Sequence, residues 1–168
     1  MAKFIFLDID GVLNSANYIN RCNNEHENKG NWVDPRAVAY LNEIIRKTSA
    51  KVVISSTWRI YDTLDILRSK LEAAGFIGEI VDKTPVLEKT LDDVWPCRGD
   101  EIFDWIDNQI DPPESVVVLD DDGDMAMMSK YLVKTSFTNG LQEEHVEQAV
   151  NILNNYYVDK SKEVYVNY

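Results

Sequence analysis

Cysteine and histidine are scarce in this chain of 168 residues, with two of each. Cys22 and Cys97 lie far apart and belong to no paired metal-ligand spacing, which excludes a disulfide framework and leaves them as core or incidental thiols. His26 and His145 lack ligand companions as well, and both read as surface residues. No segment approaches the length of a membrane span, and Asp8 and Asp10 fall where a secretory signal would need a long apolar stretch. A cytoplasmic protein without a membrane partner is the expectation. Positive charge is also short: 17 Lys and Arg against 29 Asp and Glu give a formal net charge of -12. Such a surface repels a polyanion, so no extended nucleic-acid face is expected. A small positive pocket can still hold one phosphate, and part of the acid excess can gather around a cation.

What is present is an ordinary globular composition, 45% hydrophobic and 27% charged, with no repeat or low-complexity run. A chain of this length suits one domain, here residues 1–168, burying roughly two-thirds of the surface that its unfolded form exposes.

Apolar runs alternate with helical patterns. Lys3 to Leu7 predicts a buried strand running into Asp8, Asp10 and Gly11. Asn14 to Asn31, dense in Asn, Glu and Lys, predicts a polar surface excursion, so that residues 14–32 are expected to form a small insertion. Asp34-Pro35 supplies a cap and a first-turn proline for a helix carrying Val38, Leu41, Ile44 and Ile45. A second strand, Val52 to Ile54, ends in Ser55, Ser56 and Thr57, and a helix over Asp62 to Ala74 is stopped by Gly75. Ile80-Val81 predicts a short third strand, and Lys83 to Arg98 shows little periodicity. A helix is expected over Gly99 to Ile110, broken by Pro112-Pro113. Ser115 to Leu119 is the most β-branched run and the best candidate for a fully buried parallel strand; it ends in Asp120, Asp121 and Asp122. A last strand near Tyr131 to Thr135 and a helix from Glu143 to Leu153 complete the series. The alternation predicts an α/β fold of three layers, with a mainly parallel five-stranded sheet between helices.

In such a sheet the carboxyl ends of the strands border one crevice. Asp8 and Asp10 arrive there from the first strand, pointing to the same side, and Asp120 and Asp121 arrive from the fourth. Taken singly these features are bland: aspartates two apart are common in turns, triple aspartates are usually solvated, and Ser-Ser-Thr is more often a helix cap. The four tryptophans most often mean packing, although Trp58 is placed to line a pocket. Together, the strand ends read as a phosphate-and-metal site. Crowded carboxylates repel unless a cation sits among them, and magnesium suits hard oxygen ligands that share it with a phosphate.

The segments FLDIDGVLNS, VVISSTWR and VVVLDDDGD resemble the first, second and fourth motifs of haloacid-dehalogenase-like (HAD-like) phosphatases, in that family's order. SSTWR, RGDEIFDWI and the late TNGL are similar to the small phosphatase domains found in RNA-repair proteins. The resemblance implies a Rossmann-like sheet of order 5-4-1-2-3 with a minimal cap. It implies that Asp8 is the nucleophile, Asp10 the general acid and base, and Ser56 the second-motif hydroxyl, with Ser55 its rival. Magnesium would be held by Asp8, Asp10, Asp120 and Asp121. The third motif departs from the family pattern: its cation is Arg98 or Lys89, and Arg98 is preferred because it directly precedes a helix and can hold phosphate bidentately. A magnesium-dependent phosphomonoester hydrolase with an open site follows. Its phosphorylated substrate could be a nucleic-acid end, a phosphoprotein or a small molecule. The alternative is a receiver-like or phosphate-binding module without turnover.

Overall fold

The structure, a computed structural model, describes residues 1–25, 32–155 and 158. Its centre is a parallel sheet of β1 (Lys3–Leu7), β2 (Lys51–Ile54), β3 (Ile80–Lys83), β4 (Ser115–Asp120) and β5 (Leu132–Lys134) in the order β3-β2-β1-β4-β5. This is the expected order, and every pairing is parallel. The helices are α1 (Ala16–Glu25), α2 (Pro35–Thr48), α3 (Trp58–Tyr61), α4 (Leu64–Ala73), α5 (Arg98–Asp107) and α6 (Glu143–Asn155), with a 3-10 helix at Ala126–Tyr131.

Strand alternation divides the core. Ile5, Leu7, Val52, Ile54, Val117 and Leu119 face α2, α4 and α6 on one side of the sheet. Phe6, Val53, Val116 and Val118 face α5 and the 3-10 helix on the other. Period-two alternation makes this division, and the unbroken apolar run Val116 to Leu119 within β4 follows from its being covered on both faces. On the α5 side, Trp105 meets Phe4 and Phe6 edge-on at 5.2 and 5.4 Å and donates its indole N–H to Asp82 at 2.8 Å.

Local chemistry sets several ends. Asp34 caps α2 by accepting from the Arg36 N–H at 2.9 Å, and Thr63 caps α4 by accepting from the Ile66 N–H at 3.3 Å. Helix α5 starts one residue earlier than its periodicity predicts, because the Asp100 carboxylate takes the Cys97 N–H at 2.8 Å and closes the first turn.

The expected surface excursion after Asn14 is instead helical over α1. Tertiary anchors overcome its poor intrinsic propensity. Ala16 and Asn17 donate backbone N–H groups to Phe137 and Thr138 at 2.9 and 3.1 Å, Ser15 Oγ accepts from the Tyr18 N–H at 3.1 Å, and Tyr18 is buried. His26 lies outside the described residues. His145 is half-buried, not a free surface group, and its Nδ1 accepts from the Gln142 N–H at 2.9 Å at the start of α6. Among the described residues, no helix is long and apolar enough to cross a membrane.

Candidate active site

β1 ends at Leu7, and the chain leaves the sheet carrying Asp8 between two strand neighbours. The Asp8 N–H donates to Leu119 O at 3.0 Å, and the Ser55 N–H donates to Leu7 O at 2.8 Å, so the ends of β1, β2 and β4 are tied together at this level. The Asp8 carboxylate accepts from the Ile9 N–H at 2.8 Å and from the Ser56 hydroxyl. Burial pushes its pKa up to about 6 from 3.8, against the lowering effect of those donors and of the Arg98 guanidinium.

Asp120 closes β4 and is buried. Burial, and then the Asp8 charge, push its carboxyl up to about 7, although the Asp122 N–H donates to it at 2.9 Å. Asp121 is also raised, chiefly by desolvation. One carboxylate oxygen from each of Asp8, Asp120 and Asp121 lies within 4.8 Å of the others. Three acids brought this close, each with its pKa raised chiefly by burial, form a donor set that fits a hard divalent cation. Gly11 is required beside them. Its φ is +73°, and a Cβ there would stand 2.3 Å from Asp121 Cγ.

The Asp10 carboxylate belongs to a different set. One oxygen accepts from Trp58 Nε1 at 2.9 Å and the other from Asn14 Nδ2 at 2.7 Å, so the side chain is turned toward α3 and the start of the α1 segment. Its carboxylate is not one of the three within 4.8 Å of one another. Asn14 is fixed in turn, its amide oxygen accepting from the Gly11 N–H at 3.1 Å.

Of the two candidate serines, Ser56 bonds Asp8, whereas the Ser55 hydroxyl is buried without a partner among the described residues. Of the two candidate cations, Arg98 acts on both Asp8 and Asp120. Lys89 projects from the loop before α5, pairs with Asp93 at 2.6 Å and lies 5.1 Å over the Trp95 ring. Helix α5 can bring Arg98 close because residue 99 is glycine: a Cβ there would lie 1.9 Å from the Met125 carbonyl oxygen.

Arg59 and Glu101 carry no role in the motifs, yet they sit immediately behind this constellation. The Arg59 side chain is 2% exposed, and its guanidinium binds the Ser56, Thr84 and Pro85 carbonyls and Glu101. In sequence Arg59 stood only as the last residue of the SSTWR segment, with no helix expected around it, and its partner is 42 positions away.

A parallel doubly wound sheet with acids at the ends of its first and fourth strands and hydroxyls at the end of its second is the arrangement of the HAD-like phosphatase superfamily. Residues 4–146 match the family model described as the HAD domain in Swiss Army Knife RNA repair proteins, and the chain belongs to that family. Among solved structures, the HAD domain of the effector protein Lem4 from Legionella pneumophila is similar. The TM-score is 0.55 at 13% identity, over 91% of this chain and 96% of that one. An identity that low speaks for the fold alone. No curated protein matches the sequence.

Proposed function

We propose that the protein is a magnesium-dependent phosphomonoester hydrolase that works through an aspartyl-phosphate on Asp8. The observation that carries this reading is the company kept by one buried carboxylate. Asp8 is bonded by Ser56, faced by Arg98, and within cation-sharing distance of Asp120 and Asp121. Asp8, Asp120 and Asp121, with the Asp10 main chain, would hold magnesium, which when bound offsets the repulsion between an anionic phosphate and these carboxylates.

The chain's own groups account for both half-reactions. An Asp8 oxygen attacks phosphorus and forms an O–P bond as the ester P–O bond breaks. The leaving oxygen takes the electron pair and a proton from Asp10. Water then attacks the same phosphorus and gives a proton to the Asp10 carboxylate. Phosphate departs with the Asp8–phosphoryl bond broken and both aspartates restored. Trp58 and Asn14 hold the Asp10 carboxylate in one orientation throughout. Ser56 and Arg98 donate to the phosphoryl oxygens, where preorganised donors have their largest effect.

We read residues 1–168 as one domain with an open site, since the described part of the 14–32 insertion supplies only α1. Such a site suits a phosphate carried on a large substrate. A terminal phosphate of a nucleic acid is the first to test, because the family takes its name from RNA-repair proteins. Purified protein incubated with an aryl phosphate should release inorganic phosphate with magnesium and stop reversibly in excess chelator. Phosphate binding without turnover would instead mark a silent binding module.

A further inference from the structure

Arg98 occupies the first turn of α5, where the helix N-terminus carries partial positive charge and disfavours a cation. Something must hold the guanidinium there. One turn on, Glu101 accepts from Arg98 Nη1 at 3.2 Å through Oε2, the same oxygen that accepts from Arg59 Nη2 at 2.5 Å. Its other oxygen takes the Leu87 N–H at 3.4 Å.

Arg59 is immobile for its own reasons. Its remaining donors go to Thr84 O at 3.1 Å, Ser56 O at 2.9 Å and Pro85 O at 3.1 Å. Burial lowers the pKa of this guanidinium from its ordinary value and the neighbouring Arg98 lowers it further, while Glu101 opposes both. Glu101 is therefore fixed from behind, by a side chain locked to the Ser56 carbonyl. The Arg98 side chain is 18% exposed and that of Glu101 12%. Among the described residues, Arg98 Nη2 makes one long hydrogen bond, 3.4 Å, to Thr57 Oγ1. One carboxylate between two guanidiniums offsets only one of their charges, and Arg98 acts with its own on Asp8 and Asp120.

We propose that Glu101 is a positioning residue for the reaction, holding Arg98 against the transferring phosphoryl group by bridging it to the buried Arg59. This rests on the phosphatase reading above and adds a residue to it. A purely structural Glu101 would serve Arg59 alone: its loss would lower stability and leave each folded molecule as active as before. A positioning Glu101 acts through Arg98, so its effect must disappear once Arg98 is gone.

The test is a double-mutant cycle of Glu101→Gln and Arg98→Ala, read as kcat per folded molecule and as affinity for orthovanadate in the presence of magnesium, with thermal melts alongside. Glu101→Gln should lose on the order of tenfold to a hundredfold in kcat, the scale seen for outer partners that orient a functional group. It should weaken vanadate binding, and it should cost nothing further in the Arg98→Ala background. Losses that multiply, or an unchanged kcat and vanadate affinity with only a lower Tm, would overturn the proposal. If Glu101→Gln does not fold, Glu101→Asp, which keeps the charge and withdraws it by one methylene, replaces it in the same cycle. If the wild type turns over no phosphate monoester, the phosphatase reading fails on its own, and the vanadate arm still decides whether Glu101 acts through Arg98.

Discussion

Trp58 donates its indole N–H to the carboxylate of Asp10, the proposed general acid and base, at 2.9 Å. Trp58→Phe keeps a ring and removes the donor. A hydrogen bond to a charged group is worth about 1.5–3 kcal/mol, so kcat should fall by on the order of tenfold to a hundredfold. The loss should be larger for an alkyl phosphate, whose leaving oxygen needs the proton, than for an aryl phosphate. Steady-state kinetics on the two substrates check this, and equal losses on both would remove Asp10 from proton transfer.

Arg98 and Lys89 differ in what they face. Arg98 acts on Asp8 and Asp120, while Lys89 is paired with Asp93 on an exposed loop. Arg98→Ala should lower kcat by on the order of a hundredfold or more, the scale for removing one preorganised donor. Lys89→Ala should change it by less than about twofold, since isolated exposed ion pairs contribute little. A larger effect at Lys89 would exchange the two assignments.

Asp8 and Asp120 give the metal-free protein a particular pH dependence. Their carboxyls are raised to about 6 and about 7 from 3.8. Between about pH 4 and 7 the folded state therefore holds protons that the unfolded chain has released, and stability falls as pH rises through that window. Magnesium needs the ionised carboxylates and displaces those protons, so its stabilising effect should grow over the same range. Thermal melts from about pH 5 to about pH 8, with and without magnesium, read both trends. A metal-free Tm that climbs with pH would contradict the assignment of these two acids.

Gly11 and Gly99, the two close-packed glycines beside the site, should fail differently. Gly11→Ala puts a methyl group against the Asp121 side chain at a φ of +73°, so magnesium affinity should drop together with Tm. Gly99→Ala meets a backbone carbonyl instead, at 1.9 Å, which forces α5 and Arg98 outward. Vanadate affinity should suffer there, and magnesium affinity much less. Calorimetric titration of each ligand into each variant separates the two.

The strand ends were legible because a strand buried on both faces has to be apolar until it stops, and in β1 and β4 the first polar residues after such a run are the acids of the site. Sheet order followed from the family likeness. Helix α1 was not legible. Its sequence, ANYINRCNNE, has weak helical preference, and the contacts that hold it come from residues 137 and 138. Glu101 escaped for a related reason: in sequence it is one more acid in the first turn of a helix, and only the register of α5 against the loop after β2 brings it between two arginines.

Whether the phosphoryl group passes through Asp8 is read by rapid acid quench followed by mass spectrometry. In Asp10→Asn the nucleophile remains while the base for hydrolysis is lost, so a magnesium-dependent phosphorylated species should accumulate and its phosphoryl group should map to Asp8. In Asp8→Asn no such species should form and turnover should fall to background. A phosphoryl group on Asp10, on Ser56 or on a histidine, or full turnover in Asp8→Asn, would contradict the account.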